Sequence, residues 1–243
     1  MPIRWVAPAA DLLLGARCAG CGRPWWGACP SCRELILGRV PGPTRPDPMP
    51  PGFPPTVAAG PYDEVLRGLI TAHKEEQALQ LTGVLGRLLA GCVRLLAETA
   101  GLGPADRLVL VGVPSAAATL RRRGFDANSA VGRRAARELR PAYERVRVLD
   151  LLTQRRGTQD QAGLTATARL ANLSQSVRLK PLRGCPEDPV ILFDDVVTTG
   201  ASLTEAARVL RASGAPLIGA CTVAATQRRA PANHHRRHDW KLD

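Results

Sequence analysis

Two adjacent carboxylates, followed by a turn rich in hydroxyl groups, are the residues of this sequence best suited to chemistry. Asp194 and Asp195 end an apolar run, and helical spacing begins near Ser202. A turn from a strand into a helix offers backbone N–H groups and the positive end of the helix dipole, which together bind phosphate. The residues that we expect to hold a ligand in this turn are Val196, Val197, Thr198, Thr199, Gly200, Ala201 and Ser202.

The two carboxylates complement a phosphate-binding turn. At a strand end they can accept hydrogen bonds from the vicinal hydroxyls of a ribose, and they can help to orient Mg²⁺ bound to a pyrophosphate. Gly200 permits a left-handed or closely packed backbone at the turn. Because no Gly-Lys-Ser/Thr follows, this is not a Walker A loop. The alternative is an ordinary turn in which Asp and Thr only cap the helix, and two adjacent carboxylates argue against it.

Four of the seven cysteines form a second candidate site near the N-terminus. Cys18, Cys21, Cys29 and Cys32 follow the pattern C-x2-C-x7-C-x2-C. Four thiolates complete the tetrahedral coordination of Zn²⁺ and leave no open position, so the predicted site is structural. Zinc would supply folding free energy that so small a module cannot obtain from a core. A redox dithiol would need only one CxxC in a thioredoxin-like context.

Basic and aromatic residues surround these cysteines, namely Arg17, Arg23, Trp25, Trp26 and Arg33. They could bind single-stranded nucleic acid by charge and stacking. They could equally pack against the rest of the protein, and the sequence leaves both alternatives open.

The charge of the chain indicates a polyanionic partner. The formal net charge is +12 at pH 7, and the arginines cluster at 121–123, at 155–156 and in the tail 228–238. Basic surfaces attract nucleic acid, phosphorylated metabolites or anionic membranes. For the two inner clusters we favour a functional role over a solvated surface, whereas for the tail neither interpretation is preferred.

Several classes of protein are disfavoured. The odd number of cysteines with one tight cluster is typical of a reduced protein with a metal site and not of a disulfide framework. The N-terminus lacks the apolar region and cleavage site of a signal peptide. We expect no apolar run of the ~20 residues that a membrane-spanning helix needs, and we expect a cytoplasmic protein.

The composition predicts four segments. A zinc-knuckle module covers 1–38, a Pro-rich linker 39–56, the main domain 57–226 and a basic tail 227–243. Eight of the fifteen residues from Pro41 to Pro55 are proline, which favours stiff extended chain.

Within the main domain, apolar runs alternate with helical spacing. Strands are predicted at 57–60, 108–113, 146–149, 189–193 and 217–225. Helices are predicted at 63–73, 81–100, 129–139 and 202–213, with a weaker one at 164–173. Continuous apolar strands that alternate with helices indicate an α/β fold with a doubly wound parallel sheet.

The segment Ile191 to Ser202, ILFDDVVTTGAS, resembles the phosphoribosyl-pyrophosphate (PRPP) motif of type I phosphoribosyltransferases. In that family the acidic pair holds the ribose and the turn cradles the 5′-phosphate. The resemblance therefore implies the type I phosphoribosyltransferase fold, with a small zinc knuckle added at the N-terminus.

The order of the motifs extends the resemblance to one subfamily. The two CxxC pairs, Val113-Pro114, RRRGF at 121–125, RxTxxQ at 156–161 and the PRPP motif together resemble the ComF family, which is associated with DNA uptake in competent bacteria. The resemblance implies Mg²⁺ with PRPP, structural Zn²⁺, and single-stranded DNA and a DNA-uptake helicase as partners.

The resemblance also assigns residues. Pro114 and Ser115 occupy the position of the pyrophosphate loop, where Arg121–Arg123 could supply charge. Arg156 and Gln161 belong to a block that in glutamine-dependent amidophosphoribosyltransferases forms a mobile catalytic loop. Further residues of this block are Thr158, Leu164, Arg169 and Asn172. The alternative is an exposed loop with a helix-capping Asn.

Two functions follow as hypotheses. In the first, Asp194, Asp195 and Arg156 take part in transfer of a phosphoribosyl group to an unidentified nitrogen acceptor. In the second, the chain only senses PRPP or a nucleotide and serves DNA uptake by binding single strands. The sparse pyrophosphate loop, and Asp126 and Ala127 in place of the Asn and Gln of the family's RGFNQ, favour the second hypothesis.

Overall fold

The computed structural model describes residues 16–154, 176–180 and 186–226. The described strands are β1 (Gly42–Thr44), β2 (Thr56–Ala58), β3 (Arg107–Gly112), β4 (Arg145–Leu149), β5 (Leu152–Gln154), β6 (Val177–Leu179), β7 (Val190–Val197) and β8 (Leu217–Ala225). The described α-helices are α1 (Pro30–Leu37), α2 (Glu64–Glu75), α3 (Thr82–Thr99), α4 (Ala117–Arg123), α5 (Ala127–Leu139) and α6 (Ala201–Ala212). A single 3₁₀ turn, Leu79–Leu81, precedes α3.

A six-stranded sheet in the order β1-β2-β8-β7-β3-β4 forms the centre of the fold. All neighbours from β2 to β4 are parallel, and only the edge strand β1 is antiparallel. The predicted α/β class is confirmed: a mostly parallel sheet is flanked by helices, and a small cysteine module lies at the N-terminus.

Each face of the sheet is covered by its own apolar layer. Leu108 and Leu110 pack with α2, α3 and α5, whereas Val109 and Val111 pack with α6 and the β5–β6 ribbon. Successive side chains of a strand point to opposite faces. A strand buried on both faces is therefore apolar without interruption, which is why these runs could be found in the sequence.

The sheet contains a topological switch point between β3 and β7. From β3 the chain passes through α4 and α5 to β4 on one side, and from β7 it passes through α6 to β8 on the other. Since these two connections run away from each other, a crevice opens at the carboxyl ends of β3 and β7. Open α/β sheets bind their ligands at such a crevice.

The helix boundaries follow local signals. Asp63 caps α2 by accepting a hydrogen bond from the Leu66 N–H at 3.1 Å, as the sequence predicts. Gly101 and Gly214 have φ of 78° and 81° and stand just beyond the ends of α3 and α6, where a left-handed residue terminates a helix.

The Pro-rich segment does more than connect the module to the main domain. Pro43 lies within β1, which is an edge strand, where a residue without an N–H is tolerated. Arg211 Nη1 also donates to the Gly52 carbonyl at 2.7 Å, which ties the segment to α6. The segment is thus part of the sheet and its flank, while the domain boundaries themselves remain a prediction.

One helical stretch of the described residues, Leu79–Thr99, is long and apolar enough to cross a membrane by length and composition alone. The protein buries 56% of its apolar window, which is typical of the core helix of a globular protein. Leu89 and Val93 on its inner face are fully buried.

Candidate functional site

The carboxyl ends of β3 and β7 bring two predicted site segments together. The Val113 N–H donates to the Phe193 carbonyl at 2.9 Å, so the strand ends are hydrogen-bonded neighbours. Pro114 and Ser115 therefore lie beside the residues that follow Phe193, and both are partly exposed. The predicted pyrophosphate loop and the predicted phosphate turn share one crevice.

The phosphate turn has the backbone geometry of an anion site. Gly200 has φ 75° and immediately precedes α6, and the side chains of Thr198, Thr199 and Ser202 are exposed. A Cβ at Gly200 would stand 2.8 Å from both Phe53 and Pro46, so the Pro-rich segment packs directly against this glycine. No other residue type fits both the backbone angle and the available space.

Two residues of the predicted turn have buried side chains. Val197 is 3% exposed and packs in the apolar layer beneath α6, and Ala201 is 7% exposed. Only their backbone groups can meet a ligand. Val196 is partly buried against the opposite layer.

The acidic pair lies within β7 and not after its end. Asp194 Oδ1 accepts from the Asp195 N–H at 2.9 Å, and Asp195 Oδ1 accepts from the Val196 N–H at 2.7 Å. The carboxylate of Asp195 forms an ion pair with the Lys74 ammonium of α2. Lys74 is a site residue that the sequence analysis missed, because nothing in the local spacing distinguishes it from a solvated lysine at a helix end.

Burial changes the protonation of this group of residues. It raises the pKa of Asp194 to about 7, and the Lys74 ammonium opposes that shift. Burial also lowers the pKa of Lys74, and the Asp194 carboxylate opposes that shift in turn. Each charge therefore favours the ionised form of the other in a partly desolvated site.

The residues on either side of Lys74 bind the RRRGF segment. Glu75 forms ion pairs with Arg122 at 3.3 Å and with Arg123, and the hydrogen bond from Arg123 lowers the pKa of Glu75. His73 stacks edge-on against Phe125 with ring centroids 5.7 Å apart.

His73 is itself held in place on the other side. Its Nε2 lies 2.9 Å from Thr82 Oγ1 at the start of α3. Burial, followed by the nearby Lys74 charge, lowers the pKa of His73 to about 4. The imidazole is therefore neutral at physiological pH and acts as a packed anchor.

The residues that depart from RGFNQ have local structural roles. Asp126 caps α5 by accepting from the Ser129 N–H at 3.0 Å, and Ala127 is buried. An amide is present one residue later, since Asn128 is buried and donates to the Val113 carbonyl at 3.1 Å. Asn128 thus fixes the backbone directly before the predicted pyrophosphate loop.

Arg156 and Gln161, with the rest of the predicted catalytic block, lie outside the described residues. The chain on both sides of the block is described. Gln154 pairs with Val177 in the β5–β6 ribbon, and Gln154 Nε2 donates to the Pro114 carbonyl at 3.0 Å. Both ends of the block therefore start from the pyrophosphate side of the crevice.

The four cysteines of the N-terminal module form one cluster. Their sulfur atoms all lie within 4.8 Å of one another, and Cys21 Sγ and Cys29 Sγ are 3.6 Å apart. Thiolates at ~2.3 Å from a tetrahedral zinc ion stand about 3.8 Å apart. The donor set and its spacing fit zinc, so this cluster could hold a structural metal ion.

The thiols differ in how readily they ionise. Burial raises the pKa of Cys18, but N–H groups that include the Cys29 N–H at 3.2 Å outweigh it, and the pKa is about 7. Burial raises the pKa of Cys29 and of Cys32. Cys18 is therefore the thiol most ready to bind a metal ion as a thiolate.

The aromatic residues of the module divide between the two predicted alternatives. Trp25 packs against the cysteine cluster together with Val65 of α2. Trp26 is 46% exposed, and Arg23 and Arg33 are exposed as well. Packing accounts for Trp25, whereas Trp26 remains accessible to a partner.

Sequence relatives agree with this architecture. The DNA utilization protein YhgH of Escherichia coli K12 is 31% identical over 170 residues, which cover 70% of this chain and 71% of that protein. The chain belongs to the YhgH family of DNA utilization proteins. The Salmonella typhi member is 28% identical over 208 residues, or 79% of this chain and 88% of that protein. No family model matches the chain.

Similar solved structures include two phosphoribosyltransferases. The adenine phosphoribosyltransferase of Leishmania tarentolae has a TM-score of 0.36 and 14% identity, covering 80% of this chain and 74% of that one. The orotate phosphoribosyltransferase of Mycobacterium tuberculosis H37Rv, in complex with Fe(III) dicitrate, has a TM-score of 0.32 and 14% identity, covering 80% and 82%. These TM-scores are low, so the fold assignment depends on the strand order and the switch point.

Proposed function

We propose that the chain is a ComF-type phosphoribosyltransferase-domain protein that binds PRPP with Mg²⁺ at the crevice between β3 and β7. The main support for the proposal is that the loop after β3 and the turn after β7 lie side by side at the switch point of the sheet. The turn 198–202 offers N–H and hydroxyl donors at the start of α6, and Asp194 stands in the same strand end. The 5′-phosphate binds the turn, and the ribose hydroxyls face the carboxylate.

The pyrophosphate binds on the β3 side. Pro114 and Ser115 offer backbone donors there, and Arg121 and Arg122 are exposed on the next helix. Arg122 and Arg123 both pair with Glu75, so Arg121 is the arginine most available to a ligand. Asp194 would help to orient Mg²⁺ bound to the pyrophosphate, and the ion would neutralise part of the phosphate charge. By the family resemblance we assign Arg156 and Gln161, which lie outside the described residues, to the binding of the same pyrophosphate.

If a group is transferred, the bond between the anomeric carbon and the pyrophosphate oxygen breaks as a nitrogen nucleophile forms a new bond to that carbon. Pyrophosphate leaves with the bonding electrons, and the attacking nitrogen releases a proton to solvent. The protein contributes positioning and charge stabilisation. The acceptor class is a nitrogen nucleophile, and the described residues contain no dedicated base for it.

A second function accompanies the first. The exposed Trp26 beside Arg23 and Arg33 favours binding of single-stranded DNA by the cysteine module, in accord with the name of the YhgH relatives. In this version the chain is a PRPP-sensing accessory of cytoplasmic DNA uptake that works with a helicase.

Calorimetric titration with PRPP and Mg²⁺, followed by an assay for pyrophosphate release with pooled bases and nucleosides, separates these versions. Binding with release supports transfer. Binding without release supports the sensing role for those acceptors. Wild-type protein that shows no binding would contradict both.

A further inference from the structure

The side chains of the acidic pair leave β7 in opposite directions. Neighbouring strand residues alternate between faces, and Phe193 packs with α2, α3 and α5 whereas Leu192 packs beneath α6. Asp195 therefore points toward α2, where it meets Lys74, and Asp194 points to the face of α6. The phosphate turn leads into α6, so Asp194 and the turn lie on the same side of the strand.

Asp195 is already engaged by the protein. Its Oδ2 pairs with the Lys74 ammonium, and its Oδ1 accepts from the Val196 N–H at 2.7 Å. The side chains of Lys74 and Asp195 are 30% and 12% exposed. A carboxylate with both oxygens bound and so little exposure is poorly placed to receive two ribose hydroxyls.

The helix turn that carries Lys74 also holds the opposite half of the crevice. Glu75 binds the guanidinium groups of Arg122 and Arg123, and Gln77 Nε2 donates to the Arg123 carbonyl at 2.8 Å. Gln77 adopts φ 53°, a left-handed conformation, just beyond the end of α2. The end of α2 is thus bound to both the acidic strand and the basic helix.

We propose that Lys74 is a positioning residue for the sugar-phosphate site, which fixes Asp195 and the end of β7 so that Asp194 is the carboxylate that meets the ribose. This inference rests on the proposed binding of PRPP. Removal of Lys74 leaves a buried carboxylate without a counter-ion, which must turn toward water or move the strand end. Small displacements of a binding group weaken binding strongly.

The test is a set of PRPP·Mg²⁺ affinities measured by calorimetry on the full chain. Lys74→Met and Asp195→Asn should each weaken binding about tenfold, and the double variant should bind no more weakly than the weaker single one, since both changes remove the same interaction. Asp194→Asn should weaken binding further than either single variant, because in this proposal it removes the carboxylate that meets the ribose. Lys74→Arg should restore most of the affinity.

Lys180→Met is the matched control, because it removes a lysine from an ion pair with Asp150, just outside the β5–β6 ribbon, where Asp150 is 80% exposed. Its affinity should equal that of the wild type. Wild-type affinity in Lys74→Met, or independent effects of the Lys74 and Asp195 changes, would overturn the inference while leaving PRPP binding intact. A wild type that does not bind PRPP would instead remove the proposed function.

The double variant keeps the test decisive if Lys74→Met does not fold, because it leaves no charge unpaired. Equal affinity in the double variant and in Asp195→Asn supports the role of Lys74 through Asp195. A further tenfold loss in the double variant contradicts it.

Discussion

The cysteine module and the switch-point crevice are both candidate sites, but they are assembled in different ways. The module takes its four ligands from fifteen consecutive residues, Cys18 to Cys32. The crevice takes its groups from α2, β3 and β7, which are distant in sequence. A local cluster of cysteines can form a site without contacts between distant elements, whereas a crevice between elements depends on contacts such as Lys74 with Asp195.

The two sites meet through α2. A Cβ at Gly68 would stand 2.0 Å from the Ala19 carbonyl, so the module packs tightly on the helix that carries Lys74. Glycine at this position permits the close approach. The module therefore also supports the element that positions the acidic strand.

The largest expected effect concerns the dependence of the module on metal. We expect one zinc ion per chain, and we expect Cys29→Ser or a strong chelator to unfold the module, because zinc contributes about 10–16 kcal/mol in small cysteine sites. Elemental analysis and thermal unfolding measure this. Cys92→Ala is the control. Cys92 is buried in α3 away from the cluster, so this variant should contain as much zinc as the wild type. An unchanged zinc content in Cys29→Ser would show that the cluster is not the metal site.

A smaller effect is expected at the crevice, where a substitution should raise the stability of the chain instead of lowering it. The pKa of Asp194 is about 7 in the folded chain, whereas the unperturbed pKa of an aspartate is 3.8. Between these values the folded state retains a proton that the unfolded state has lost, so stability falls as pH rises through this window. Asp194→Asn should stabilise the chain at pH 8 by no more than about 4 kcal/mol and weaken PRPP binding.

Denaturant unfolding of Asp194→Asn and wild type at pH 5 and pH 8 gives the comparison. The stability difference should be larger at pH 8. Asp195→Asn serves as the matched variant and should destabilise the chain, because it leaves the Lys74 ammonium without its partner. If the two variants changed the stability in the same way at pH 5 and pH 8, the two acidic residues would not have different roles.

The smallest effect concerns the outer surface of the module. Trp26→Ala should weaken binding of single-stranded DNA by about 1–3 kcal/mol, the usual value for one stacked base, without changing the zinc content. Fluorescence anisotropy at several salt concentrations measures this, and affinity should fall steeply as salt rises. Arg107→Gln, at the start of β3, is the control. Salt-independent binding, or none, would remove the DNA role of the module.

Much of this architecture follows from local patterns. The apolar strands, the cap at Asp63 and the four cysteines were predicted because each is encoded within a few neighbouring residues. The short strands β1, β5 and β6 were not predicted, since three residues carry too little periodicity. Helix α1 was missed as well, because its only buried positions are Cys32 and Ile36.

In the candidate site, too, local sequence predicts some features and only tertiary packing decides the others. The sequence predicts a phosphate-binding loop at Asp194, Asp195 and the following turn, because strand, carboxylates, glycine and helix are consecutive. It could not assign different roles to the two carboxylates, because that depends on which face each one meets. The partner of Asp195 is Lys74 in another helix, and this pairing arises only when α2 packs on β7. Burial on packing also raises the pKa of Asp194, so its protonation is a property of the folded chain.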